Sequence, residues 1–290
     1  MNDTFKAALW MSGAIVSFTS MAIAGRAVSF ELDTFEIMMY RSLIGVVLVC
    51  GVAGMAGTLS QVTRRNLGLH FVRNICHFAG QNLWFYAITV IPLAQVFALE
   101  FTSPIWAILL SPLILKERLR PIGLIAALIG FIGILIVARP NPQALDMGQA
   151  AAATAAIGFA LTALFTRKLT RSESITCILF YLTVLQAAFG VLFAGFDGDI
   201  AWPSIASLPW LLLIACAGLI AHFCLTTALR LAPASVVMPI DFVRLPLIAV
   251  VGMTLYGESI DIWVLIGATI IFTGNYINIL AQLRLARRQH

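Results

Sequence analysis

Charge is what this sequence has least of. Asp, Glu, Lys and Arg make up 11% of its 290 residues, while 61% are hydrophobic. Soluble domains carry about 25% charged residues, so too little polar surface is available here to keep a domain in water. Histidine is scarce too. His70, His77, His222 and His290 are scattered, and no HExxH or GxSxG run appears, so the chain lacks the constellations an integral-membrane enzyme would need. No catalytic residues are expected. A GxxxxGK[ST] run is also missing, which excludes direct drive by ATP through such a loop. The five cysteines (Cys50, Cys76, Cys177, Cys216, Cys224) contain no CxxC pair, so neither a disulfide framework nor zinc-ligand spacing is indicated. They read as small apolar residues inside spans, and no metal or cofactor is expected.

What remains is a succession of apolar runs. Hydropathy places them at roughly 7–27, 34–55, 67–90, 93–115, 121–138, 147–166, 174–196, 208–229, 235–256 and 261–283, most with the ~20 residues a helix needs to cross hydrocarbon. The expected fold is an all-α integral membrane protein of ten transmembrane helices. The first run is too long, and too free of a cleavage site, to read as a removed leader. With the N-terminus inside, Lys6, Arg64, Arg65, Lys116, Arg118, Arg120, Arg167, Lys168, Arg171, Arg230, Arg284, Arg287 and Arg288 fall in cytoplasmic segments. Arg26 and Arg139 lie outside, with Glu31, Asp33, Asp146, Asp197 and Asp199. The positive-inside rule then puts both termini in the cytoplasm, and a bacterial inner membrane is the expected location. That placement accounts for the net charge of +5 without a nucleic-acid partner.

Shifted by 141 residues, the sequence matches itself without a gap along most of its length. Phe18 meets Phe159, Arg26 meets Arg167, Tyr40 meets Tyr181, Pro92 meets Pro233, Phe101 meets Phe242 and Glu117 meets Glu258. Glu100 meets Asp241. The chain therefore divides into repeats 1–140 and 141–290, the second with a short basic tail. Each holds five expected spans, and because five is odd the second repeat enters the membrane inverted. Inverted repeats are a hallmark of secondary transporters, since two similar halves in opposite orientation give two states of similar energy, one open to each side.

The run YAITVIPLAQVFALEFTSPIWAILLSPLILKERLRPIGLIAALIGFIGILIV resembles the EamA repeat of the drug/metabolite transporter superfamily. Tyr86, Ala87, Pro92, Pro104, Glu117, Gly123, Gly130 and Gly133 carry the likeness, and Trp10, Arg26 and Arg41 fit the same pattern. In the second half Ala228, Pro233, Glu258, Gly267 and Gly274 match, while Leu182 stands where Arg41 would have its counterpart. Glu100 departs from the small or apolar residues usual there. The resemblance implies ten helices around a central cavity, carrying a small metabolite by alternating access. Export of an amino acid or a nucleoside- or vitamin-like compound is the main expectation from that likeness. Import or exchange of a cofactor-like metabolite, of the riboflavin or S-adenosylmethionine type, is the alternative, and a non-transporting sensor a third reading.

Intramembrane polar residues mark where a substrate would pass, because an ionisable group in hydrocarbon is costly. Arg73, His77, Gln81 and Trp84 recur at helical spacing along one face of the third span, which must look into protein or a water-filled cavity. The competing use is interhelical hydrogen bonding, worth about 0.6 kcal/mol per bond. Glu100 and Asp241 stand beside helix-breaking prolines, Pro104 in the first repeat and Pro239 and Pro246 in the second. Corresponding interrupted helices point to a transporter's binding site. Carbonyls freed there would bind substrate or be satisfied by Thr102 and Ser103. Depth along the spans pairs Arg41 with Glu100 and Arg73 with Asp241, with Arg244 competing for Asp241. Phe101, Phe242 and Asn275 complete the candidate site. Protons are the obvious coupling ion through the two acids, and an uncoupled facilitator or an exchanger fits equally well. Three intramembrane arginines against two carboxylates favour a ligand bearing a carboxylate or phosphate. Glu117 and Glu258 read as structural loop or cap residues. Glycines and Ala127 on the fifth span offer either tight packing or a dimer contact, so monomer and homodimer both remain open.

Overall fold

The computed structural model describes residues 3–116, 121–139, 146–196, 198–233, 236–237, 240–259 and 261–287. Among these it is helical throughout, with no strand. The first half supplies α1 (Asp3–Val28), α2 (Thr34–Met55), α3 (Leu67–Val90), α4 (Leu93–Glu100), α5 (Ser103–Leu115) and α6 (Pro121–Ala138). The second supplies α7 (Met147–Leu169), α8 (Ile175–Ala194), α9 (Leu208–Leu231), α10 (Arg244–Tyr256) and α11 (Ile262–Arg287), with short 3-10 turns at Leu59–Gln61 and Asp241–Val243. The expected run at 93–115 is thus two helices rather than one.

Among the described residues, six stretches are long and apolar enough to cross a membrane. They lie in α1, α2, α7, α8, α9 and the run Leu93–Leu115 that joins α4 to α5, and shorter apolar stretches lie in α6, α10 and α11. Helix α3 is absent from this group because it is polar on one face. That face is the buried one: His70, Arg73, Asn74, His77 and Gln81 point inward while Phe71, Val72 and Ile75 face out. The usual amphipathic order is inverted, as befits a helix whose outer solvent is lipid.

Helix bounds keep the 141-residue spacing. Leu67–Val90 of α3 becomes Leu208–Leu231 of α9 (67 to 208, 90 to 231), and Ser103–Leu115 of α5 becomes Arg244–Tyr256 of α10 (103 to 244, 115 to 256). Packing exchanges the halves: α1 lies against α9, α3 against α7, α2 against α8 and α6 against α11. Glycines permit the closest of these approaches. A Cβ on Gly158 of α7 would sit 2.9 Å from both the Cys76 carbonyl and the Gly80 Cα of α3. On α6, Gly133 faces the Gly267 carbonyl of α11, and Gly130 lies under Ile105. These two glycines are therefore used in packing within the chain.

Local signals start the helices. Asp33 Oδ1 accepts from Glu36 N at 2.7 Å and Glu36 Oε2 accepts from Asp33 N at 2.8 Å, a reciprocal cap on α2. Ser174, 141 residues later, caps α8 through Cys177 N at 3.1 Å. Glu258 accepts from Leu93 N at 3.0 Å at the start of α4 and pairs with Arg26, a structural capping role like the one expected of it. Glu117 lies outside the described residues. Glu31 and Asp33, two of the acids assigned to the outer side, are both engaged. Glu31 accepts from the backbone N–H of Ser204 and from the hydroxyls of Ser204 and Ser207, holding the segment before α9.

Two outcomes follow from these contacts. Gly158→Val overpacks the α3–α7 crossing and is expected to lower stability by about 1–3 kcal/mol, read by thermal unfolding in detergent. Gly51→Ala, with open space around it, is the tolerated control. The Ser207 hydroxyl first, then Ser204, hold the Glu31 carboxyl below its ordinary range. A depressed pKa adds stability above the unfolded value that is lost as pH falls through the folded one. Protection of the Ser204 amide, corrected for intrinsic exchange, should therefore drop in acid, and Glu31→Gln should show low protection at both pH values.

Candidate functional site

The chain breaks twice, and each break carries a carboxylate. Helix α4 stops at Glu100 because Pro104, four residues on, has no N–H for the Glu100 carbonyl and its ring crowds that oxygen. Pro104 opens α5 instead, where a missing N–H costs nothing. Hydroxyls close the freed carbonyls: Thr102 Oγ1 donates to Leu99 O at 2.8 Å and Ser103 Oγ to Glu100 O at 2.6 Å. Satisfaction by Thr102 and Ser103, one of the two uses considered for these carbonyls, is formed here. The second break is the turn Asp241–Val243 running into α10. Pro239 lies outside the described residues; Phe242, Pro246 and Asn275 lie in the Asp241–Val243 turn, α10 and α11 respectively, with their side chains outside the described set.

Both carboxylates converge on one cation. Arg244 Nη2 donates to Glu100 Oε1 at 2.6 Å and also to Asp241 Oδ2. Trp84 Nε1 donates to the other Glu100 oxygen at 2.7 Å. The Arg244 Cζ stands over three rings, Phe97 at 4.8 Å, Phe18 at 5.1 Å and Phe101 at 5.6 Å, and the residue is 2% exposed. Ring faces attract a desolvated guanidinium by ~2 kcal/mol or more.

The pairs drawn from depth are not formed. Arg41 has no carboxylate within 4.0 Å among the described residues, and its Nη1 lies 3.7 Å from the Met21 sulfur. Arg73 binds the Thr166 hydroxyl at 2.8 Å through Nε and Asn74 Oδ1 at 3.3 Å. The physical reason is the break itself. Because α4 ends at Glu100 and α10 begins three residues after Asp241, and these helices pack together, the acids meet at one level. Arg244 competes from three residues away and takes both.

Around this triad lies a cavity of about 90 Å³, room for several waters at ~10–15 Å³ each. Arg73, His77, Gln81 and Trp84 of α3 line it together with Glu100, Phe101, Pro104, Asp241 and Arg244. Arg41 is set behind His222, which lines both this cavity and a smaller one containing Arg41. Asp241 Oδ1, Arg244 Nε, Gln81 Oε1, His222 Nε2 and both His77 ring nitrogens have no protein partner among the described residues. Each such buried group costs about 1–3 kcal/mol when left unmade, so the wall suits a polar occupant.

Sequence reasoning passed over His222, Phe18, Phe159, Thr162 and Thr166, all of which line the cavity. The repeat held the signal. Shifting Gln81 by 141 gives His222, Phe18 gives Phe159 and Met21 gives Thr162, so cavity positions in one half name those in the other. His77 and His222 then stand edge to face, 4.6 Å between ring centres.

The profile of the EamA-like transporter family matches residues 5–139 and again 146–280. A riboflavin transporter of Brucella anthropi is 30% identical over 244 residues, 81% of this chain and 86% of that protein. An S-adenosylmethionine uptake transporter of Rickettsia felis is 23% identical over 296 residues, covering 100% of this chain and 99% of that one. A solved crystal structure superposes with a TM-score of 0.71 at 18% identity, over 96% of this chain and 98% of its own.

Mutant cycles test the triad. Arg244→Gln leaves two buried carboxylates unpaired and is expected to cost about 3–5 kcal/mol, with much of that loss recovered in combination with Glu100→Gln. Arg41→Gln and Glu100→Gln should simply add. Unfolding in detergent measures both cycles.

Proposed function

The chain belongs to the EamA-like transporter family, and from that premise we propose that it is a secondary transporter taking up a cofactor-like metabolite by alternating access. It is an integral membrane protein and a transporter, not an enzyme. The observation that carries the mechanism is the Glu100–Arg244–Asp241 triad, set at two helix breaks 141 residues apart and facing a cavity of mixed polar and apolar side chains. One relative's name gives uptake of S-adenosylmethionine and another's transport of riboflavin. Together they support import of a compound of that kind over the exporter reading, which rests on the habit of the wider superfamily.

In this reading ten helices span a bacterial inner membrane as inverted halves 1–140 and 141–290, with both termini cytoplasmic. The constant spacing of helix bounds and the exchanged packing of α1 on α9 and α3 on α7 support it. The cavity lies within one chain, so a single copy transports. Arg73, without a carboxylate among the described residues, takes the carboxylate of an S-adenosylmethionine-like ligand or donates to a ring carbonyl oxygen of a riboflavin-like one. Trp84, Phe101, Phe18 and Phe159 offer faces to its ring. Two carboxylates sharing one guanidinium carry one charge too many, and a proton on either leaves the other fully paired. Proton binding and release at the triad then couples transport to the gradient.

Sealed proteoliposomes offered labelled riboflavin and S-adenosylmethionine, with and without an imposed pH gradient, test this. Uptake of one of them, following the gradient, is expected. Glu100→Gln/Asp241→Asn should reduce it at least about tenfold, a loss of ~1.4 kcal/mol. Uptake of neither by folded protein overturns the substrate reading, and undiminished uptake by the double variant overturns the triad's role.

A further inference from the structure

Away from the cavity, the α2–α3 connection meets the α7–α8 turn over a group of side chains that transport leaves unused. His70 lies in the first turn of α3, Glu173 just before α8 and Cys177 in the first turn of α8. They present one nitrogen, one oxygen and one sulfur, all within 4.8 Å of one another, and all three residues are buried, His70 completely. Cys177 Sγ is 3.9 Å from His70 Nε2 and 3.8 Å from the Thr63 carbonyl.

We propose that His70, Glu173 and Cys177 form a zinc site. The donor set argues for that ion: imidazole, thiolate and carboxylate together suit Zn²⁺, whereas Ca²⁺ and Mg²⁺ take shells of oxygen. At bond lengths of about 2.0–2.3 Å, a tetrahedral ion holds its ligand atoms about 3.5 Å apart. The three atoms already stand within roughly an ångström of that spacing. The supporting shell is in place as well. Thr63 Oγ1 donates to Glu173 Oε2 at 2.9 Å and Asn66 Nδ2 to Oε1 at 2.5 Å, so the carboxylate is held as ligating carboxylates are. The Thr63 carbonyl or a water takes the fourth position. The site joins the two repeats, since His70 and Cys177 are 107 residues apart. Arg73 follows His70 by less than a turn, so an ion here fastens the cavity-lining helix α3 to α8. Binding to the folded state alone stabilises it.

Full-length protein in detergent, stripped by a chelator, is titrated with Co²⁺ and then Zn²⁺. One Co²⁺ per chain is expected, with a thiolate-to-cobalt charge-transfer band that Zn²⁺ displaces and a Tm that rises with Zn²⁺. Cys177→Ser removes the band, His70→Gln and Glu173→Gln weaken Zn²⁺ binding at least about tenfold, and Cys224→Ser leaves it intact. If a site variant does not fold, alkylation reads the same binding: with the other four cysteines changed to serine, Zn²⁺ protects Cys177 from maleimide. A band that survives Cys177→Ser, or the absence of band, protection and Tm shift alike, overturns the proposal.

Discussion

One buried guanidinium shared by two carboxylates is the constraint on which the rest of this structure depends. Arg244 cannot neutralise both Glu100 and Asp241, and a buried excess charge is tolerated only where its surroundings are arranged for it. The arrangement is visible in the Trp84 N–H on Glu100, the three phenylalanine faces around Arg244 and the polar wall of α3. Together they draw on several helices, so the triad ties the packing of α1, α3, α4 and α10 into one problem. A group whose charge does not close is also one whose state a proton or a ligand can change.

The helix breaks serve this centre. A continuous helix through Glu100 would carry its carboxylate on a rigid cylinder facing whatever neighbour the crossing angle offered. Ending α4 there and letting Thr102 and Ser103 close the carbonyls places the acid at an end, within reach of Asp241, which lies 141 residues later in the turn ahead of α10. Hydroxyl capping keeps the break affordable inside the membrane, where no water would satisfy the backbone.

Much of this was legible in the residues. The apolar runs announced a helical membrane protein, the 141-residue offset exposed the repeat, and the spacing of Arg73, His77, Gln81 and Trp84 put them on a single inward face. His222 was legible too, as the repeat partner of Gln81, but a histidine read alone in an apolar run resembles a packed core residue. The pairing of charges was not legible. Depth along ideal straight spans assigned Arg41 to Glu100, and the spans here are broken at the very residues being assigned.

The sequence by itself determined the local and periodic features: which stretches are apolar enough for helices, where prolines interrupt them, and that one half repeats the other. These depend on neighbours within a turn or two, or on a constant offset, so they survive without coordinates. Only the tertiary structure decided which partners meet across a hundred residues or more. Arg244 takes Glu100, Glu258 caps α4 and pairs with Arg26, Glu31 holds Ser204, and His70 faces Cys177. The reason is that a buried charge or thiol must be satisfied by something, but the chain's own order does not say by what. That choice is made by how closely the glycine-lined helices approach and where the broken ones end.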